Sequence, residues 1–110
     1  MQRYNLFHMG EFVELLEKKG WTIKQDLEDD GWHQFRHCQA WTKKIRVLGE
    51  SGEFDIYVLQ SYNWLVAVYI PSTDECIRLI KYSRTTSKQT TQWENAIRFY
   101  GWNGVYNYGK

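Results

Sequence analysis

The sequence predicts a single α+β domain with an N-terminal helix, a mostly antiparallel sheet of five to six strands, and a short C-terminal helix covering one face of the sheet. Three observations lead there. The stretch Trp64-Leu65-Val66-Ala67-Val68-Tyr69-Ile70 carries no charge and is dominated by β-branched and aromatic side chains, which suits a strand with apolar neighbours on both faces. Glycine-bearing turn signals, Asp30-Gly31 and Gly49-Glu50-Ser51-Gly52, separate runs that alternate with a period of two. Apolar residues recur at helical spacing only near the two ends. A chain of 110 residues is long enough for one core without metal or disulfide staples.

Residues 9–19 read as the first helix, with Met9, Phe12, Val13, Leu15 and Leu16 on one stripe and Glu11, Glu14, Glu17 and Lys18 outward. Gly20 is placed to end it in the left-handed conformation. A strand over 21–27 sends Trp21, Ile23 and Leu27 inward and Thr22, Lys24 and Asp26 outward, and Asp30-Gly31 turns the chain into a returning strand over 32–41. That second run has polar groups on both faces, the mark of an edge strand or a functional surface. A hairpin over 43–60 follows, with Ile45, Val47, Phe54, Ile56 and Val58 inward and Lys44 and Arg46 outward.

The uncharged stretch is taken as the central strand, with Trp64, Val66, Val68 and Ile70 on one face and Leu65, Ala67 and Tyr69 on the other. Pro71 stops it, because proline lacks a ladder donor. Residues 76–83 fit either a strand or, with Ser72 and Glu75 as a capping box, a helix, and the strand is preferred. Residues 84–90 contain no apolar residue and read as a loop. Thr91 with Glu94 is a second capping box, and Trp93, Ala96, Ile97 and Tyr100 stand at helical spacing up to Gly101. The aromatic tail then turns at Asn103-Gly104.

The charge is +1 overall but unevenly distributed: residues 1–30 carry a net of −3 and residues 31–110 a net of +4. That asymmetry points to a basic face and an anionic partner. The aromatic fraction is 17 %, with six Trp and eight Tyr, residues that serve as core, as protein-interface anchors or as stacking platforms for bases. No window is long and apolar enough for a membrane span and the first residues lack signal-peptide order, so a cytoplasmic protein without membrane partners is expected. Cys38 and Cys76 are too few for a disulfide framework.

His33, His37 and Cys38 suggest zinc at first sight. On a strand, however, the two histidines stand about 13 Å apart at about 3.3 Å per residue, and Cys38 points to the opposite face. No metal and no cofactor is expected. A glycine-rich phosphate loop is absent. Asp26, Glu28, Asp29 and Asp30 read as a solvated turn, and although Cys38 or Cys76 with a histidine is a nucleophile in principle, nothing in the sequence brings the two side chains together.

The most coherent pattern is cationic. Arg36, Lys44 and Arg46 fall on outward positions of neighbouring strands, and Arg78, Lys81, Arg84 and Lys88 follow with Tyr82 among them. Cations spaced for phosphates beside aromatic rings are what sequence-tolerant nucleic-acid binding uses.

Residues 62–75, an apolar strand ending in proline before a short acidic loop, resemble a strand-loop stretch of the PD-(D/E)XK endonucleases associated with group I introns. The resemblance implies an acidic residue on one strand and a (D/E)-x-K triplet on the next, together holding Mg²⁺. The corresponding place here is Phe35-Arg36-His37-Cys38-Gln39, which has neither the acid nor the lysine, so no catalytic residue carries over.

The expectation is therefore a non-catalytic binding protein for nucleic acid, acting through Arg36, Lys44, Arg46, Lys81 and Arg84. The alternatives are a protein-binding module or inhibitor with Trp and Tyr anchors, and a metal-dependent nuclease using Asp55 and Glu53. An edge strand over 32–41 also offers a route to a homodimer.

Overall fold

A computed structural model describes residues 10–24, 31–35, 40–62, 64–79 and 84–107. Helix α1 (Gly10–Lys19) is followed by strands β1 (Thr22–Ile23), β2 (His33–Gln34), β3 (Ala40–Gly49), β4 (Gly52–Ser61), β5 (Trp64–Ile70) and β6 (Glu75–Arg78), and then by helix α2 (Arg84–Asn107). The expected α+β class is what the chain adopts: one antiparallel sheet with a helix on each face. No helix of the described residues is long and apolar enough to cross a membrane.

The end of α1 follows directly from its sequence. Gly20 takes φ 71°. Its N–H donates to the Glu17 carbonyl at 3.2 Å while that of Trp21 donates to Leu16 at 2.9 Å, the paired bonds of a Schellman cap. Phe12, Leu15 and Leu16 are buried, whereas Val13, expected on the same stripe, is 41 % exposed.

Strand order departs from the expectation at the N-terminal side. The sheet runs β1-β3-β4-β5-β6, and β2 also pairs with β3. β1 pairs with the far end of β3 (Thr22↔Leu48) and β2 with its near end (His33↔Thr42), so the two short strands line one edge in succession and are not a hairpin with each other. The second run is split: β2 spans two residues between Trp32, packed on the α1 core, and the buried Phe35, and Ala40 and Trp41 already belong to β3. The Asp30-Gly31 turn and residues 36–39 lie largely outside the described residues.

The β3–β4 hairpin closes at Gly49↔Gly52 as expected. β5 is buried along nearly its whole length but lies one place from the edge, with β4 at the centre. Its two faces do not alternate as expected, because the register shifts between Leu59↔Ala67 and Gln60↔Leu65. This bulge leaves Val66 as the extra residue and reverses parity. Leu65, Val68 and Ile70 face α1 with Ile45, Val47, Ile56 and Val58, whereas Val66, Ala67 and Tyr69 face α2 with Leu59, Trp93, Ala96, Ile97 and Val105.

Helix α2 is neither short nor begun at Thr91. It starts at Arg84, and its polar first turns pack against polar groups: Gln89 and Thr90 are buried, and the Ser61 hydroxyl donates to Gln89 Oε1 at 2.7 Å. Thr91 is mid-helix and donates back to the Ser87 carbonyl at 3.0 Å. At Gly101, with φ 72° and ψ −171°, the helix breaks, and the chain resumes helical turns to Asn107, so Asn103-Gly104, expected as a turn, is helical.

Candidate nucleic-acid interface

Alternation along β3 separates its side chains cleanly. Ile45 and Val47 go to the α1 core, so Lys44 and Arg46 stand on the opposite face, which they share with Thr42. Residues directly paired across a ladder share a face, which adds Tyr57 opposite Lys44 and Asp55 opposite Arg46. The Lys24 N–H donates to the Arg46 carbonyl at 2.9 Å, continuing the β1–β3 ladder, and Lys24 joins the same row. Helix α2 covers this face over Ala40, Leu59, Ala67 and Tyr69 and reaches Thr42 of β3, whereas Lys24, Lys44 and Arg46 are not among the residues packed with it. Lys24, Lys44 and Arg46 all remain exposed there.

The aromatic border of this strip is built by the kink at Gly101. A residue with a Cβ enters the left-handed region at a cost, and glycine does so freely. The redirected chain lays the Trp102 ring on Tyr57, with centroids 4.9 Å apart and planes at 29°. Tyr57 stacks in turn beside Tyr69 at 6.0 Å, and His33 meets Trp102 edge-on at 6.4 Å. Burial, and then the Asp55 carboxylate, raise the Tyr57 phenol above its ordinary pKa, so the ring stays neutral. Arg46 is held by Asp55 at 3.0 Å, with about half of its side chain exposed (47 %). Exposed ion pairs of this kind contribute about 0–1 kcal/mol, so a phosphate can compete for the guanidinium.

Two sets of polar contacts fix α2 against the sheet. Deep in the seam, the buried Trp93 indole N–H donates to Thr42 Oγ1 at 2.9 Å, and the Thr42 hydroxyl donates to the Val58 carbonyl at 2.9 Å. Nearer the surface, Arg78 reaches Thr91 Oγ1 at 3.0 Å and Glu94 at 3.7 Å. Arg98 pairs with Glu94 and with Asp74 Oδ1 at 3.3 Å, and the Tyr69 hydroxyl also donates to Asp74. The hydrogen bond from Tyr69 holds Asp74 below the usual carboxylate range, opposed by desolvation and helped by Arg98. Cys76, beside Glu94, is pushed up to about 12, first by burial and then by that carboxylate. A thiol so protonated is a packing group and a poor nucleophile.

Of the five residues expected to bind nucleic acid, the structure brings together Lys44 and Arg46. Arg36 and Lys81 lie outside the described residues, and Arg84 opens α2. Arg78 is drawn into the α2 seam, away from the strip, and Lys88 is exposed on α2. Lys24 was legible as an outward residue, but only the β1–β3 register places it beside Arg46. Tyr57 and Trp102 are 45 residues apart in the chain and gave no local signal of their contact. Trp32 packs against the α1 core, and Trp41 is half-buried. The nuclease candidates are separated in role, since Asp55 is engaged by Arg46 while Glu53 stands at the hairpin end of β4. Among the described residues no three His, Cys, Asp or Glu side chains gather as a metal site, and His37 and Cys38 lie outside them.

A family model described as "Family of unknown function (DUF8033)" matches residues 17–103, and the chain belongs to that family. Neither a curated protein nor a solved structure matches the chain.

Proposed function

We propose that this member of the DUF8033 family is a non-catalytic, cytoplasmic nucleic-acid-binding protein that uses the open half of its α2-facing sheet surface. One observation carries the reading: Lys24, Lys44 and Arg46 form an exposed cationic row on adjoining strands beside the Tyr57–Trp102 stack. Cations at strand spacing track a phosphate backbone, and ring faces accept bases without regard to sequence. A sheet surface is also better suited to a single strand than to the groove of a duplex, so single-stranded DNA or RNA is the expected ligand.

Fluorescence anisotropy with labelled single- and double-stranded oligonucleotides, at two salt concentrations, tests this. Three phosphate contacts at about −0.7 each give a log–log salt slope of about −2 for a single strand, and Lys44→Ala with Arg46→Ala brings it to about −0.7. Absence of binding at low salt, or a slope untouched by the double substitution, contradicts the reading.

A second reading, a protein-binding module, is favoured by Phe99 and Tyr100, which are 81 % and 65 % exposed on the outer side of α2 with ring centroids 6.3 Å apart. Aromatic anchoring of a protein changes little with salt, so the same titration series with a captured partner separates the two.

A further inference from the structure

At the end of the sheet away from the start of α2, the β3–β4 turn, the β5–β6 turn and the C-terminus of α1 enclose a cleft of about 380 Å³. Its lining includes Lys19, Trp21, Glu50, Phe54, Ile70 and Glu75. Trp21 and Phe54 meet edge to face with centroids 5.0 Å apart and form an aromatic wall. That wall is rigidly seated. A Cβ at Gly49 would stand 3.0 Å from a Phe54 ring carbon and 3.2 Å from one of Trp21, so both rings lie flush on the bare backbone. Glu53 at the hairpin end also borders the cleft, so three acidic residues and one lysine surround it.

The ammonium already in place shows what the wall recognises. Lys19 Nζ lies 5.7 Å from the Trp21 ring centroid and 3.8 Å from Glu75 Oε1, a cation held between a ring face and a carboxylate. A cation within about 6 Å of a Trp face is attracted by the ring quadrupole. We infer that this cleft binds a small organic cation with a quaternary ammonium, alkylammonium or guanidinium head, with Lys19 acting as a built-in competitor for the Trp21 face. The volume is that of a small-molecule pocket, and the excess of carboxylates selects positive charge. The site is distinct from the Lys24-Lys44-Arg46 strip in position and opposite to it in preferred charge.

The test is an NMR titration of the full ¹⁵N-labelled chain, following the Trp21 indole N–H and the Gly49 and Gly52 amides. Choline stands for a free small molecule, N-acetylarginine amide for a protein side chain, and 3,3-dimethyl-1-butanol is choline's neutral isostere. Saturable shifts are expected with one or both cations, while the neutral isostere binds at least about threefold more weakly. Lys19→Ala tightens cation binding by about two- to fivefold, and adding Glu75→Gln to it reverses that gain. Both positions are partly exposed, so a dispersed spectrum for each variant shows that it folds. Equal shifts from the neutral isostere, or no shift at Trp21 in either the native chain or Lys19→Ala, overturns the inference.

Discussion

Thr42 illustrates how a single side chain decides where α2 sits. Its hydroxyl is fully buried, accepts the Trp93 indole N–H and donates to the Val58 carbonyl, so both partners are satisfied through one oxygen. Valine has nearly the same shape but leaves a buried indole donor without an acceptor, and such orphaned groups cost about 1–3 kcal/mol. Thr42→Val is therefore expected to lower the free energy of unfolding by that amount in urea denaturation, with the fold retained. A change within ±0.5 kcal/mol, the ordinary range for a neutral substitution, would contradict the assignment. At the same scale, Lys44 and Arg46 were legible because strand alternation is local. Lys43 was not: it is 1 % exposed on the α1 side opposite Val58, a place that alternation assigns but that its charge argues against.

Elements were legible where their signals are local and misread where tertiary partners override them. The Gly20 cap and the Gly49-Gly52 hairpin follow from glycine chemistry within a few residues. The start of α2 does not, because Gln89 and Thr90 are buried against polar partners such as Ser61 and an apolar period never appears. The bulge at Val66 likewise has no local mark, since every residue of β5 is compatible with either face.

The joint between α2 and the β5–β6 turn makes a pH prediction. Asp74, in the left-handed conformation at φ 55°, accepts from Tyr69 and Arg98, and its folded-state pKa is lowered from 3.8. A carboxyl lowered on folding contributes stability that is present above its unfolded pKa and is lost as pH falls through the folded one. The Tm of the native chain is accordingly expected to exceed that of Asp74→Asn at neutral pH, and the gap to close as pH falls below about 3.8. Asparagine tolerates the left-handed backbone, so the comparison isolates the charge. A gap that persists unchanged in acid, or no gap at neutral pH, would contradict a stabilising role for the Asp74 charge.

At the scale of the whole molecule, the two helices divide the sheet unequally. α1 packs on one face with Phe12, Leu15 and Leu16, while α2 and its kinked extension cover only part of the other, and the proposed interface is what they leave open. The class of fold was legible from one uncharged strand, the Gly49-Gly52 turn signal and two helical periods. The interface was legible only in part, because the cationic row requires β1 to lie beside β3, and its aromatic border requires the kink at Gly101 that carries Trp102 to Tyr57. Both depend on contacts between distant parts of the chain.

Chemical-shift mapping with a short single-stranded oligonucleotide locates the binding surface residue by residue. Perturbations are expected to concentrate on Lys24, Lys44, Arg46, Tyr57 and the Trp102 indole, and to fade as salt is raised. Perturbations confined to α1 or to Phe99 and Tyr100, or an unchanged spectrum at low salt, would contradict the proposed interface.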